Sequence, residues 1–179
     1  MKPAIEIPDQ SEEVVVTFLN LLLADEYVLY TKTRTAHWNI DGSNYFELHV
    51  FLENQYNTLD IMIDEIAEQI RSLGHYALGS LKDFLSIARL SNDNHNFHKS
   101  DEIFETLRTD QETLIGILQH EIISIQTEFN DTNTAVFLTG LVEQHKKMAW
   151  MLRFLSSNPE YSMSQRILSN SSQLIEWQE

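Results

Sequence analysis

Residues 37–68 read HWNIDGSNYFELHVFLENQYNTLDIMIDEIAE, and this stretch decides what kind of helical protein the chain forms. Two histidines, His37 and His49, stand twelve positions apart across a turn that contains Gly42. Three carboxylates, Glu53, Asp64 and Glu68, follow at helical spacing. Imidazole and carboxylate together form a ligand set that first-row metals such as iron accept. The stretch separates a metal-handling bundle from an inert one.

Projected on a helical wheel with His49 at zero, Glu53 falls near 40°, Asp60 near 20°, Asp64 near 60° and Glu68 near 100° (about 100° per residue). A carboxylate stripe of this kind is usually a solvated face. Here His49 precedes Glu53 by four residues, a ligand-compatible pair, and His37 folds back toward the start of the same helix. Glu53 and Asp64 are eleven residues apart. That is about 16 Å along a helix, too far for one metal centre to use both from one chain. Two copies of the helix lying antiparallel about a two-fold axis near Thr58 and Leu59 would bring the 49/53 pair of one chain to the 64/68 pair of the other. An isologous dimer would thereby close two equivalent sites.

Outward from this stretch the chain reads as helices throughout. A first helix is expected from Ser11, whose Ser-Glu-Glu supplies a cap and an acidic first turn, to the Asp41-Gly42-Ser43 turn. Asn44, with Glu47 in capping-box position, starts a second. Leu48, Leu52, Leu59, Ile63, Ile66 and Ile70 give that helix its core face, and Gly74 ends it. Residues 75–98 form a long connection with a short amphipathic helix around 81–90 and a loop at 92–98. A third long helix covers about 100–129, Asn130 to Asn133 punctuate, and a fourth covers about 132–156. Two short turns and one long crossover define an all-α, ferritin-like four-helix bundle. The expected organisation is a loose arm at 1–10, the bundle at 11–157, and a tail at 158–179 with a short helix at LSNSSQLIEWQ carrying Trp177.

Composition narrows the function. The 179 residues suffice for one domain with a sizeable core. Absence of cysteine excludes a disulfide framework, a thiolate zinc site and a cysteine nucleophile, and fits a cytoplasmic protein. MKPAIEIPDQSEE lacks the apolar core of a signal peptide, and the run VVVTFLNLLLA is too short to span a bilayer. The formal charge of −15 repels phosphate and attracts cations. Only Lys2 is basic in the first 31 residues and only Arg166 in the last 22, so neither end carries a cationic arm.

None of the seven histidines has Glu three residues before it, which argues against the di-iron centre that bundles build from Glu-x-x-His pairs within one subunit. His75, His95 and His98 are read as solvated. His120 and His145 are read as hydrogen-bonded structural residues. Trp38 and Tyr45 adjoin the site as packing residues, with a minority reading as sinks for oxidising equivalents.

Taken together, His37-Trp38-Asn39, Gly42, Asn44-Tyr45-Phe46, His49, Asp64-Glu65-Ile66-Ala67-Glu68 and Leu73-Gly74 resemble the Dps family of mini-ferritins. Thr134-Ala135, Lys147 and Trp150 extend the resemblance, which covers roughly residues 12–157. It implies a shell of twelve subunits with a ferroxidase centre at the two-fold interface. His37, His49 and Glu53 would come from one subunit, with Asp64 and Glu68 from its partner. The chain departs from the family at Glu53, where Asp is usual.

The leading expectation is therefore iron storage and detoxification. Fe(II) would be oxidised by hydrogen peroxide or oxygen at the shared site and stored as ferric mineral, the peroxide preference resting on the resemblance alone. Two alternatives stand beside it: a nucleoid-binding protective protein, against which the charge argues, and a structural oligomer whose site is inactive or holds zinc.

Overall fold

The computed structural model describes residues 9–41, 44–92 and 100–157, and these form five helices and no strand. They are α1 (Asp9–Asn39), α2 (Tyr45–Ser72), a short α3 (Leu81–Ile87), α4 (Ser100–Thr127) and α5 (Thr132–Ser157). The expected turn residues Gly42 and Ser43, most of the 92–98 loop with His95 and His98, and the tail with Trp177 lie outside the described residues.

Each pair of long helices is antiparallel. Tyr30 meets Tyr56 and His37 meets His49, so α2 runs back along α1. Gln111 meets His145 in the same way between α4 and α5. The crossover carrying α3 joins the pairs. All six residues expected on the core face of α2 are buried, with Met62 and Gln55 beside them. Leu19, Leu22 and Leu29 from α1, Phe104 and Leu118 from α4, and Leu138 from α5 complete a core without solvent access. Each fully buried side chain of this size contributes roughly 1.5–3 kcal/mol relative to exposure.

Helix ends show where local chemistry works. Gly74 adopts φ +86°, its N–H reaches the Arg71 carbonyl at 3.0 Å and that of His75 reaches Ile70 at 3.3 Å. Those two bonds make a Schellman stop, and the left-handed residue in it is the expected glycine. Asp131 caps α5 by accepting from the Thr134 N–H at 3.0 Å, and Ser80 caps α3 by accepting from Asp83 at 3.1 Å. Asn44 corrects the sequence reading: it occupies the N-cap position of α2, but its side chain makes no capping bond, so the expected capping box does not form. Its carbonyl still takes the Leu48 N–H at 3.1 Å. A second correction concerns α1, which begins at Asp9, within the stretch read as a loose arm. Glu12 and Glu13 place negative charge near its start, where the helix dipole favours it.

The stretch Glu12–Asn39 is long and apolar enough by composition to cross a membrane, longer than the run considered in the sequence. Most of its apolar window is buried in the bundle, where the core uses it.

The crossover is bound to α1. Asp25, fully buried, accepts from the main-chain N–H of Leu90 at 3.0 Å and from Arg89 through both its N–H and its Nε. Asn20 accepts from the Leu78 N–H at 3.0 Å. Phe84 of α3 stacks on Tyr27 at 4.3 Å. Lys32, also buried, pairs with Asp110 of α4 and donates to the Ser91 carbonyl at 3.2 Å. Burial holds the Asp110 carboxyl above its ordinary range, against the opposing pull of Lys32.

Candidate metal centre

The antiparallel pairing of α1 and α2 sets His37, in the last turn of α1, against His49, near the start of α2. Their rings stack with centroids 3.7 Å apart at 25°. The Nδ1 of His37 lies 2.9 Å from the His49 carbonyl, and the Nδ1 of His49 lies 3.0 Å from the His37 carbonyl. A carbonyl oxygen only accepts, so both Nδ1 atoms must carry the proton. The lone pair of each ring is thereby assigned to Nε2. Metal-binding imidazoles have this arrangement, with one nitrogen fixed by a backbone carbonyl and the other presented to the ion.

The surroundings hold the pair in place. Tyr45 stacks on the second face of His49 at 5.0 Å, and Tyr56 meets His37 edge-on at 5.2 Å. The Tyr56 hydroxyl donates to Glu53 Oε1 at 3.4 Å, and Glu53 lies one helical turn beyond His49. Burial, then the neighbouring Glu53 charge, raises the Tyr56 phenol above its ordinary pKa. Arg34 places its guanidinium 5.3 Å from the Tyr56 ring centroid, 5.5 Å from that of Trp38 and 5.7 Å from that of Tyr30. His37 is buried, His49 and Glu53 are half-buried.

The five expected ligands thus form two groups. His37 and His49 pair at the start of α2, with Glu53 one helical turn farther along that helix. Asp64 and Glu68 sit exposed farther along the helix. Asp64 lines a groove with Asp60, Tyr27 and Phe84, and Glu68 lines another with Gln69, Val136 and Phe137. Among the described residues no three His, Asp or Glu side chains of this one chain converge on a common point.

Sequence reasoning missed a second polar cluster. His145, expected to be hydrogen-bonded within the bundle, is fully buried between Glu26 Oε1, 2.7 Å from its Nε2, and Gln111 Oε1, 2.6 Å from its Nδ1. Glu26 Oε2 has no hydrogen-bond partner among the described residues. Helical spacing gives no signal for this cluster, because its members come from three helices. His120 is exposed, 3.6 Å from Glu121, and His75 lies 3.4 Å from Glu12.

A bundle of this topology, with a paired-histidine site at the α1–α2 end, is a ferritin-like architecture. The ferritin-like domain family matches residues 16–159. A low temperature-induced protein of Nostoc is 38% identical over 156 residues, 87% of each chain. The DNA protection during starvation protein 2 of Bacillus anthracis is 31% identical, spanning 78% of this chain and 94% of that one. Among solved structures, the Dps protein of Vibrio cholerae superposes with a TM-score of 0.75 at 28% identity, over 80% of this chain and 89% of that one. Dps from Thermosynechococcus elongatus gives 0.78 at 27% identity, over 83% and 94%. The chain belongs to the ferritin-like family and, within it, is a protein of the Dps type.

Proposed function

We propose that the protein takes up Fe(II), oxidises it with hydrogen peroxide or oxygen at a site shared between two copies of the chain, and stores the ferric product inside a closed homo-oligomeric shell. The observation that carries the reading is the reciprocal bond between His37 and His49. It leaves the Nε2 of two stacked imidazoles free of that bond and able to take a metal, with Glu53 one helical turn beyond His49. Preorganised imidazole and carboxylate suit Fe(II), and carboxylates hold the harder Fe(III). The Vibrio cholerae relative is described as a member of the ferritin-like diiron-carboxylate superfamily, which supports iron as the substrate. Zinc fits the same donor types and would compete.

Asp64 and Glu68 complete the site from a second copy. Ile61, 61% exposed on α2 between the two groups, offers apolar surface for that copy to cover. With peroxide the reaction balances as two Fe(II), one hydrogen peroxide and two protons giving two Fe(III) and two waters. The acidic surface helps to concentrate the cation. Protection of DNA, the role in the names of several relatives, follows here from removing iron and peroxide rather than from covering the nucleic acid.

Hybrid assemblies test the sharing. A dimer that pairs His49→Ala with Glu68→Ala collects both lesions at one site and leaves the other intact. Random mixing then restores about a quarter of all sites. Fe(II) oxidation by peroxide should be severely slowed in each pure variant and partly recovered in the hybrids. No recovery, with hybrid assembly verified by mass spectrometry, overturns the shared site.

A further inference from the structure

We infer that Tyr56, Tyr30 and Tyr27 form an electron relay joining the two half-sites carried by one subunit, so that the two iron sites of a dimer exchange electrons. The inference rests on the shared-site reading above. Tyr56 stands beside the first half-site, edge-on to His37 at 5.2 Å and hydrogen-bonded to Glu53. Its ring meets Tyr30 at 6.1 Å, and Tyr30 meets Tyr27 at 6.3 Å, both edge-to-face. Tyr27 lines the same groove as Asp64, which belongs to the second half-site. The row runs from one end of the split site to the other through half-buried side chains.

The chemistry of peroxide gives such a row a purpose. Peroxide accepts two electrons, while a site holding a single Fe(II) supplies one. A lone one-electron transfer would release hydroxyl radical. With the relay, one Fe(II), one hydrogen peroxide, one proton and the Tyr56 phenol give Fe(III), two waters and a neutral Tyr56 radical. Tyr56 then takes a hydrogen atom equivalent, electron and proton, from Tyr30, and Tyr30 takes one from Tyr27. The Tyr27 radical is quenched by Fe(II) at the other site, which becomes Fe(III) as Tyr27 regains a proton. The sum is two Fe(II) oxidised per peroxide. Arg34 favours this route over Trp38, because its positive charge near the Trp38 ring opposes the cation that an oxidised indole becomes.

The experiment uses the assembled protein loaded anaerobically with one Fe(II) per site, mixed with half an equivalent of peroxide and freeze-quenched for electron paramagnetic resonance. Ring-deuterated tyrosine separates tyrosyl from tryptophanyl signals. The wild type should pass the hole to the second iron and retain little radical. Tyr30→Phe should strand it on Tyr56, giving a several-fold larger tyrosyl signal and more spin-trapped hydroxyl radical. Tyr27→Phe cuts the row one step later and serves the same test should Tyr30→Phe not assemble. Radical and trap yields unchanged from wild type, with iron still oxidised, overturn the relay and leave the site standing. Iron oxidation that survives His49→Ala overturns the site itself.

Discussion

His37 and His49 are each held by the other's backbone: the Nδ1–H of each donates to the carbonyl of its partner, at 2.9 and 3.0 Å. Loss of either ring therefore removes a donor to the opposite residue as well as an imidazole. His49→Ala should weaken Co(II) binding, read from the visible absorption of the bound ion, by 10-fold or more, on the order of what loss of a supporting partner at a metal ligand costs. Asn39→Ala, on the exposed side of the same turn of α1, should leave binding unchanged. Equal affinity for wild type and His49→Ala would remove His49 from the site.

Duplex DNA should not bind at physiological salt. A net charge of −15 repels phosphate and leaves few cations to displace its counterions. Gel retardation of linear duplex by micromolar protein, without divalent ions, would show that the charge is distributed more unevenly than the sum suggests.

The Glu26–His145–Gln111 cluster is a structural element. Removing one member of a buried, hydrogen-bonded pair leaves its partner unsatisfied, at a cost of roughly 1–3 kcal/mol. His145→Ala should therefore lower the thermal midpoint strongly while Fe(II) oxidation at permissive temperature persists. Glu26→Gln should fall between it and wild type. A midpoint indistinguishable from wild type for both variants would mean the cluster contributes nothing net.

Acid and salt should act together on the α4–α5 surface. Glu112 is held below its ordinary pKa by hydrogen bonds from Arg153 and then Arg108, and Glu105 is held below its own by Arg108. A depressed folded pKa stabilises above the unfolded carboxylate value and loses that stabilisation as pH falls through the folded value. These groups are partly exposed, so solvent and salt screening keep the sum to roughly 1 kcal/mol or less. Arg108→Gln should flatten the acid limb of a stability–pH profile at low salt and change little at high salt. A profile of unchanged slope would rule the cluster out as a contributor.

What could be read from the sequence was what is local. The apolar spacing of Leu48, Leu52, Leu59, Ile63, Ile66 and Ile70 reports one face of one helix, and all six are buried. Gly74 marks its stop because a left-handed residue is needed there. The His49–Glu53 spacing marks half of the candidate site, and His37 joins it because the turn between α1 and α2 is short. What could not be read depends on which helices meet. Glu26 and His145 are 119 positions apart, and nothing in either neighbourhood announces the other. Tyr56 and Tyr30 read as ordinary aromatic residues until antiparallel packing sets them edge to face. Asn44 shows the opposite failure: the right residue type at a helix start, with its side chain not used as a cap.

Asn20 and Asp25 steer the crossover almost entirely through main-chain N–H groups, those of Leu78, Arg89 and Leu90. The path of that connection is thus encoded in the first helix, not in the connection. Side chains at 78 and 90 are free to drift as far as packing allows, since every residue except proline offers the same N–H. Asp25 has no such latitude: even Asn, with one acceptor oxygen in place of two and no charge, would surrender part of the grip. A reader of related sequences should look for the instructions for this loop more than fifty residues upstream of the loop itself.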